Sequence, residues 1–395
     1  MKMMTRVCCG LVLLLGLTLS PMMGDEPAVL APIPVVEVPL LEVVFVLDTT
    51  GSMGGLLHGA KEKIWSIANM LVTGKPSPNI KMGLIAYRDR GDAYVTKVTP
   101  LSEDIDAVYA ELMQFKAEGG GDTPESVNQA LHEAVTKIAW SEQKDVYRVI
   151  FLVGDCPPHM DYADDVKYPD TCKLAAERGI IINTIQCGAH ASTTPIWEAI
   201  AKSTEGTFAA VAQSGGARVI VTPHDETLAR LAVELDATRL YYGTAEEQRL
   251  GMEQAANAGV ITRTGSVTAN AGRAGYITDG AALKGPAGSI DAFAKAGSKD
   301  LVNDVTSGAV ALDKLDKKLL PPDMLKMTLD ERKKLIEDLQ VKREALQKQL
   351  TDAAKLRAAF IAEEEKKQGE KPADAFDVAI RAAVAKQALA FHIAY

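Results

Sequence analysis

The sequence predicts a doubly wound α/β domain, with a mostly parallel six-stranded sheet, followed by an α-helical C-terminal region. Three observations carry this. Residues 43–47 (VVFVL) and 147–153 (YRVIFLV) are apolar runs without alternation, as expected of central parallel strands covered on both faces. Between residues 40 and 236 strand-like runs mostly alternate with segments of helical spacing. Each of the two apolar runs stops at an aspartate, Asp48 and Asp155, in a loop of glycine, hydroxyl residues or proline.

In chain order, the first strand ends at Asp48, Gly51 permits a tight turn, and residues 56–72 carry apolar residues at helical spacing. Residues 81–89 and 94–101 read as the second and third strands, and residues 102–115 and 124–140 as helices. The strand ending at Asp155 is followed by a fifth at 180–186, a helix at 195–203 and a sixth strand in GTFAAV, 206–211. Residues 224–240 read as the helix that closes the unit, which sets the domain at 40–236.

Composition then shifts. Residues 243–310 are rich in Ala, Gly, Ser and Thr, with few aromatics, and read as a weakly packed or partly helical connector within 237–322. Residues 304–320 suit a short amphipathic helix before Pro321 and Pro322 break it. Within the helical tail, 323–395, Thr328 and Glu331 form a capping-box pattern that opens a long helix to about Lys367. Ile336, Leu339, Leu346, Leu350, Ala353 and Phe360 follow an a/d heptad register, interrupted by Arg343 and Arg357. That register suits a coiled coil, hence self-association, or a hairpin with the Ala-rich helix at 374–391.

At the N-terminus, Lys2 and Arg6 precede an apolar stretch from Val7 to Leu19, and small residues near Gly24 offer a cleavage position. This is the layout of a secretory signal peptide, 1–24, followed by a linker at 25–39. Cleavage removes two basic residues and no acid, so 43 basic residues fall to 41 against 52 acidic ones, a formal charge of −11. Such a chain has no affinity for phosphate backbones, which excludes nucleic acid as a partner. No other run is apolar for long enough to span a bilayer, so the expected product carries no transmembrane anchor and is secreted or periplasmic. Three cysteines remain after cleavage: Cys156, Cys172 and Cys187. Cys172 near the start of one helix and Cys187 at the end of the next strand fall at the same sheet edge, and an oxidising compartment favours their pairing over three reduced thiols.

The segment D-T-T-G-S-M delivers Asp48, Thr50 and Ser52 to one loop at a strand's carboxyl end, where open α/β sheets bind ligands. GGGDTPE (119–125) adds Asp122 and Thr123, and GDCPPH (154–159) adds Asp155. Alone, D-x-T-x-S is equally a polar turn capping a helix; the three loops together resemble the metal-ion-dependent adhesion site (MIDAS) of von Willebrand factor type A domains. The forms DTTGSM, GGGD-x-PE and D-x-P-P-H are most similar to the hemicentin and alpha-kinase-associated branch. The resemblance covers residues 40–236 and implies Asp48, Thr50, Ser52 and Asp155 as ligands, with Asp122 or Thr123 from the third loop. A donor set of hydroxyl and carboxylate oxygens suits Mg²⁺ above all, or Mn²⁺ or Ca²⁺. Two carboxylates leave such an ion able to attract a partner's acid; three more than neutralise it. The resemblance implies a non-enzymatic, exported binding module whose ion captures an Asp or Glu of a protein ligand. The alternative is a regulatory or substrate-presenting subunit of an enzyme complex. The tail segment LPPDMLKMTLDERKKLIEDL is similar to tails of exported bacterial A-domain proteins.

Other motifs carry less. Arg90-Gly91-Asp92 spells an integrin-binding tripeptide, but a turn between strands selects Gly and Asp anyway. Cys156 and His159 could pair as nucleophile and base, yet two prolines separate them and no third group orients them, so a structural role is expected. The other histidines show no ligand spacing.

Overall fold

The computed structural model describes residues 38–216, 218–282, 299–368 and 375–395. The expected signal peptide, most of the linker, the part of the connector at 283–298 and the junction at 369–374 lie outside them. Among the described residues no helix is long and apolar enough to cross a membrane.

The domain opens with β1 (Leu40–Asp48) and α1 (Gly54–Val72), then β2 (Asn79–Tyr87), β3 (Thr96–Ser102), α2 (Ile105–Gln114) and α3 (Val127–Thr136). It continues with β4 (Tyr147–Gly154), α4 (Tyr168–Glu177), β5 (Ile180–Cys187), α5 (Thr194–Ser203) and β6 (Phe208–Val211). The sheet order is β3-β2-β1-β4-β5-β6, parallel except for the antiparallel edge pair β2–β3. The order reverses between β1 and β4, and a crevice opens at the carboxyl ends of strands at such a point.

The unbroken hydrophobicity of β1 now has its reason. Val43, Phe45 and Leu47 enter one core cluster with α1 and α2, while Val44 and Val46 enter the other with α3, α4 and α5. The same division separates the cysteines. Cys172 packs with Ile200 and Trp197 on one face, and Cys187 with Ile185 and Val211 on the other. The expected Cys172–Cys187 disulfide is therefore not formed; Cys156, Cys172 and Cys187 are all free thiols.

After β6 come α6 (Asp225–Asp236), the two-residue strand β7 (Tyr241–Tyr242), α7 (Ala245–Thr264) and α8 (Val267–Ala282). The second short strand β8 (Lys299–Asp300), α9 (Leu301–Thr306), the 40-residue α10 (Leu329–Gln368) and α11 (Phe376–Gln387) complete the chain. The expected helix at 304–320 is replaced by α9 and a short 3-10 turn at Lys317–Leu319.

Residues 225–236 do form a helix, but not one that closes the sheet. Leu228, Leu231 and Leu235 of α6 pack against α8 and α10 in a separate cluster. The sheet face is closed by α11, at the far end of the chain, whose Phe376, Ile380, Ala383 and Val384 join the first core cluster. Gln387 ends α11 inside the protein, where its Oε1 accepts from Tyr147 Oη at 2.7 Å and Asn183 Nδ2 at 3.0 Å. Its Nε2 donates to Asn183 Oδ1 at 2.8 Å. Ala394 then exchanges backbone hydrogen bonds with Lys75, at 2.9 and 3.0 Å.

The Ala- and Gly-rich connector is in part a packing device. A Cβ on Gly272 would lie 3.0 Å from Trp65 Cβ, so its absence lets α8 approach α1 closely. Asn69 of α1 donates to Gly272 O at 3.1 Å, and Trp65 sits between the rings of Tyr109 and Tyr276. The capping box of α10 forms as expected, with Thr328 N donating to Glu331 Oε2 at 2.7 Å and Glu331 N to Thr328 Oγ1 at 3.3 Å.

Four of the six heptad residues of α10 are buried within the chain, Leu346, Leu350 and Ala353 against α6 and α8 and Ile336 with Leu301 and Met324, while Leu339 and Phe360 are half-buried. The two arginines that break the register anchor the helix. Arg343 reaches Asp300 at 2.7 Å and both oxygens of Thr238, and Arg357 reaches the buried Asp225 at 2.8 Å. Self-association through this face would compete with contacts already made.

If α11 belongs to the core, Ile380→Ala should lower the stability of the sheet itself by about 2 to 5 kcal/mol, the usual cost of emptying a fully buried aliphatic site. Urea unfolding followed by tryptophan emission checks this, because Trp65 and Trp197 are buried on opposite faces. An unchanged midpoint would place α11 outside the cooperative unit.

Candidate metal centre

Three loops converge on the crevice between β1 and β4. In the first, Asp48 Oδ1 accepts from Thr50 N at 2.8 Å and from Thr50 Oγ1 at 2.7 Å, and Thr50 Oγ1 lies 3.3 Å from Ser52 Oγ. Thr49 ties the loop to the end of β2, donating to Tyr87 O from both its backbone N and its hydroxyl at 2.9 Å. Asp48 and Thr50 are buried and Ser52 is exposed, so the donor set grades from core to solvent.

Asp155 follows β4 directly. A Cβ at the preceding Gly154 would lie 3.0 Å from Asp48 Cβ and 2.3 Å from Tyr87 Oη, so only glycine lets the two strand ends pass this closely. Asp155 Oδ2 accepts from Gln213 Nε2 at 2.8 Å, and its backbone oxygen accepts from Thr193 Oγ1 at 2.9 Å.

The third loop is stitched to the first by two backbone bonds of 3.1 Å, Gly51 N to Gly119 O and Glu118 N to Thr49 O. Asp122 and Thr123 are both exposed. Thr123 Oγ1 is 3.8 Å from Cys156 Sγ, while Asp122 groups with Asp89 and His159. The carboxylate that this loop turns inward is Glu125, only 2 % exposed. In the sequence Glu125 reads as an ordinary acid at the start of a helix, where the dipole favours it. Its place as the last residue of the GGGD-x-PE pattern, beside a proline, is the further signal that the sequence carries.

Burial and mutual repulsion set the electrostatics. Asp48 is pushed up to about 7 from the usual 3.8 by burial, against the two Thr50 hydrogen bonds and with the charge of Asp155 adding. Glu125 is pushed up to about 9 by burial and by Asp48, Asp89, Asp92 and Asp155. Burial chiefly, with Asp155 adding, pushes the Cys156 thiol up to about 12, so the sulfur stays protonated and is a poor nucleophile and ligand. The hydroxyl of Tyr87 is held well above its ordinary range by burial and the same acids.

Asp48 Oδ2, Asp155 Oδ1, Glu125 Oε2 and Tyr87 Oη are buried without a hydrogen-bond partner. Uncompensated buried carboxylates are costly, and native sites pair them or give them to a metal. Hard oxygen donors with open lone pairs, two hydroxyls beside them and one solvent-facing side fit a divalent cation such as Mg²⁺, Mn²⁺ or Ca²⁺.

The other motifs are absorbed into the frame. Arg90 pairs with Asp164 at 2.9 Å and Asp165 at 2.7 Å, and Asp92 accepts from Asp89 N and Gly120 N. The Arg-Gly-Asp tripeptide thus serves internal contacts.

Residues 42–224 match the family model described as von Willebrand factor A domain. A putative ariadne-like RING finger protein R811 of Acanthamoeba polyphaga mimivirus is 25 % identical over 183 residues, 42 % of this chain and 18 % of that protein. The von Willebrand factor A domain-containing protein 7 of Rattus norvegicus is 34 % identical over 97 residues, 25 % of this chain and 10 % of its own length. Both relatives are thus matched over less than a fifth of their length. Among solved structures, proximal thread matrix protein 1 from the mussel byssus, with a zinc-occupied MIDAS motif, gives a TM-score of 0.35 at 16 % identity, over 45 % of this chain and 42 % of that one. The VWA domain of SpRpn10 gives 0.33 at 16 % identity, over 45 % of this chain and 89 % of that one. From the family match at residues 42–224, and from the six-stranded sheet that holds the three loops, the chain carries a von Willebrand factor A domain.

Proposed function

We propose that this chain is an exported, non-enzymatic binding module that uses a divalent cation, Mg²⁺ by preference, to capture an acidic side chain of a protein partner. The observation that supports this most strongly is the pair of unpartnered oxygens, Asp48 Oδ2 and Asp155 Oδ1, buried at adjacent strand ends. The charge of Asp155 adds to the burial that raises Asp48, and those of Asp48, Asp89, Asp92 and Asp155 add to the burial that raises Glu125, so the acids of this cluster repel one another.

Asp48, Thr50, Ser52 and Asp155 would hold the ion, with Glu125 behind them in place of the expected Asp122 or Thr123. When bound, the cation supplies a positive position on the solvent side that a carboxylate can occupy. The chain's own residues fix the donors: Thr50 orients Asp48, Gln213 orients Asp155, and Gly154 brings the two together. The protonated Cys156 and the absence of a nucleophile–base pair at the crevice favour recognition over bond breaking.

Adding Mg²⁺ at about 100 times its dissociation constant should stabilise the wild-type chain by about 2.7 kcal/mol, because the ion binds only the folded state. Asp48→Ala and Asp155→Ala should each lose that gain while keeping the far-ultraviolet dichroism of the fold, since Asp48 is the last residue of β1 and Asp155 lies just past the end of β4. A variant that melts at the same Mg²⁺-dependent temperature as wild type would remove its residue from the site.

The ion-free protein should show the opposite sign with pH. The unfolded Asp48 ionises near 3.8, but the folded one keeps its proton to about 7, so the folded state binds more protons in that window. Stability in chelator should therefore fall as pH rises from about 4 to about 7, and Asp48→Asn should flatten that part of the profile. Thermal melts in chelator across this range check the slope. A profile in which Asp48→Asn leaves the slope unchanged would show that Asp48 is not the group responsible.

A further inference from the structure

A second cluster of ligand atoms lies on the same edge of the sheet and uses none of the four residues at the first crevice. One oxygen each of Asp89 and Asp122 and one ring nitrogen of His159 all lie within 4.8 Å of one another. They come from the loops after β2, before α3 and after β4.

The cluster is built. Asp89 is 5 % exposed; its Oδ1 accepts from Ser126 Oγ at 2.7 Å and its Oδ2 from Tyr162 Oη at 2.8 Å. Both donors are neutral and leave lone pairs on the carboxylate. His159 is also 5 % exposed, and its Nδ1 lies 2.8 Å from Asp161 Oδ1. Its ring stacks on Tyr162 with centroids 4.0 Å apart, and the Arg90 guanidinium covers the other face of Tyr162 at 4.0 Å. A carboxylate on Nδ1 fixes the tautomer and orientation of an imidazole whose Nε2 binds a metal. Here Nε2 is buried without a hydrogen-bond partner and points at Asp89 Oδ2, 3.3 Å away. Asp122 is exposed and forms the open side.

We infer that Asp89, Asp122 and His159 form a second divalent-cation site, separate from the crevice of Asp48 and Asp155, that takes Zn²⁺. One imidazole with two carboxylates and an open face is a donor set of three protein ligands plus solvent, which zinc accepts. The nitrogen distinguishes it from the all-oxygen crevice, which prefers harder ions. A metal here joins three loops, one of which carries Glu125, and so holds the base of the first centre.

The inference stands whether or not the first centre works, and Co²⁺ as a coloured substitute for Zn²⁺ separates the two. The full chain, freed of metal and held in excess Mg²⁺, is titrated with Co²⁺ and followed by visible absorption, then displaced with Zn²⁺. The expected result is one saturable Co²⁺ site that Zn²⁺ empties, retained in Asp48→Ala. Affinity should fall by roughly tenfold or more in His159→Gln and in Asp122→Ala. Asp122 is exposed, so its variant reports on ligation without threatening the fold. Wild-type Co²⁺ binding in both variants would overturn the site and leave His159 and Asp89 as an ordinary imidazole–carboxylate pair. Loss of the signal in Asp48→Ala alone would also overturn it, by sending the ion to the first crevice.

Discussion

Asp48 and Asp155 stand at the carboxyl ends of neighbouring parallel strands, buried, each with an oxygen that no protein group satisfies. Much of the domain exists to hold them there. Two fully covered sheet faces exclude water from the strands, Gly154 removes the side chain that would hold the strand ends apart, and Thr50 and Gln213 fix the oxygens that are satisfied. The repulsion that results is a reservoir of binding energy, because a cation that neutralises it recovers part of the cost of burying the acids.

The sheet depends in turn on the end of the chain. A core face left open after β6 is closed by α11, and Gln387 satisfies polar groups of β4 and β5 inside that face. The helices between are packed onto α1 and onto one another. Arg273 bridges Asp106 of α2 and Asp236 of α6, at 2.5 and 2.7 Å, which fastens α8 across both. The intervening helices therefore belong to the same structure as the A domain, and the long α10 is bound by its arginines to the side of it.

Much of this was legible in the sequence, for physical reasons that differ by element. The strands were visible because burial on two faces leaves an unbroken apolar run, and Asp48 and Asp155 stood out as candidates because turns after such runs have few tasks besides capping and binding. Glu125 was not legible, since an acid just ahead of a helix looks the same in sequence whether it faces solvent or a buried crevice. Asp89 and His159 were missed because their cluster is assembled from three loops with no local spacing. The role of α11 was hidden by about 140 residues of intervening chain, and an amphipathic helix at 225–236 offered a nearer candidate for the same place. The arginines of α10 looked like defects in a coiled coil because their partners, Thr238, Asp300 and Asp225, are distant in sequence.

The central claim is that the buried carboxylates between β1 and β4 await a cation. Crystals grown with Mn²⁺ and measured at the manganese absorption edge test it directly. The account predicts an anomalous peak bonded to Asp48 and Asp155, with the hydroxyls of Thr50 and Ser52 turned towards it. A crevice without a peak at millimolar Mn²⁺, its two carboxylates sharing a proton, would contradict it.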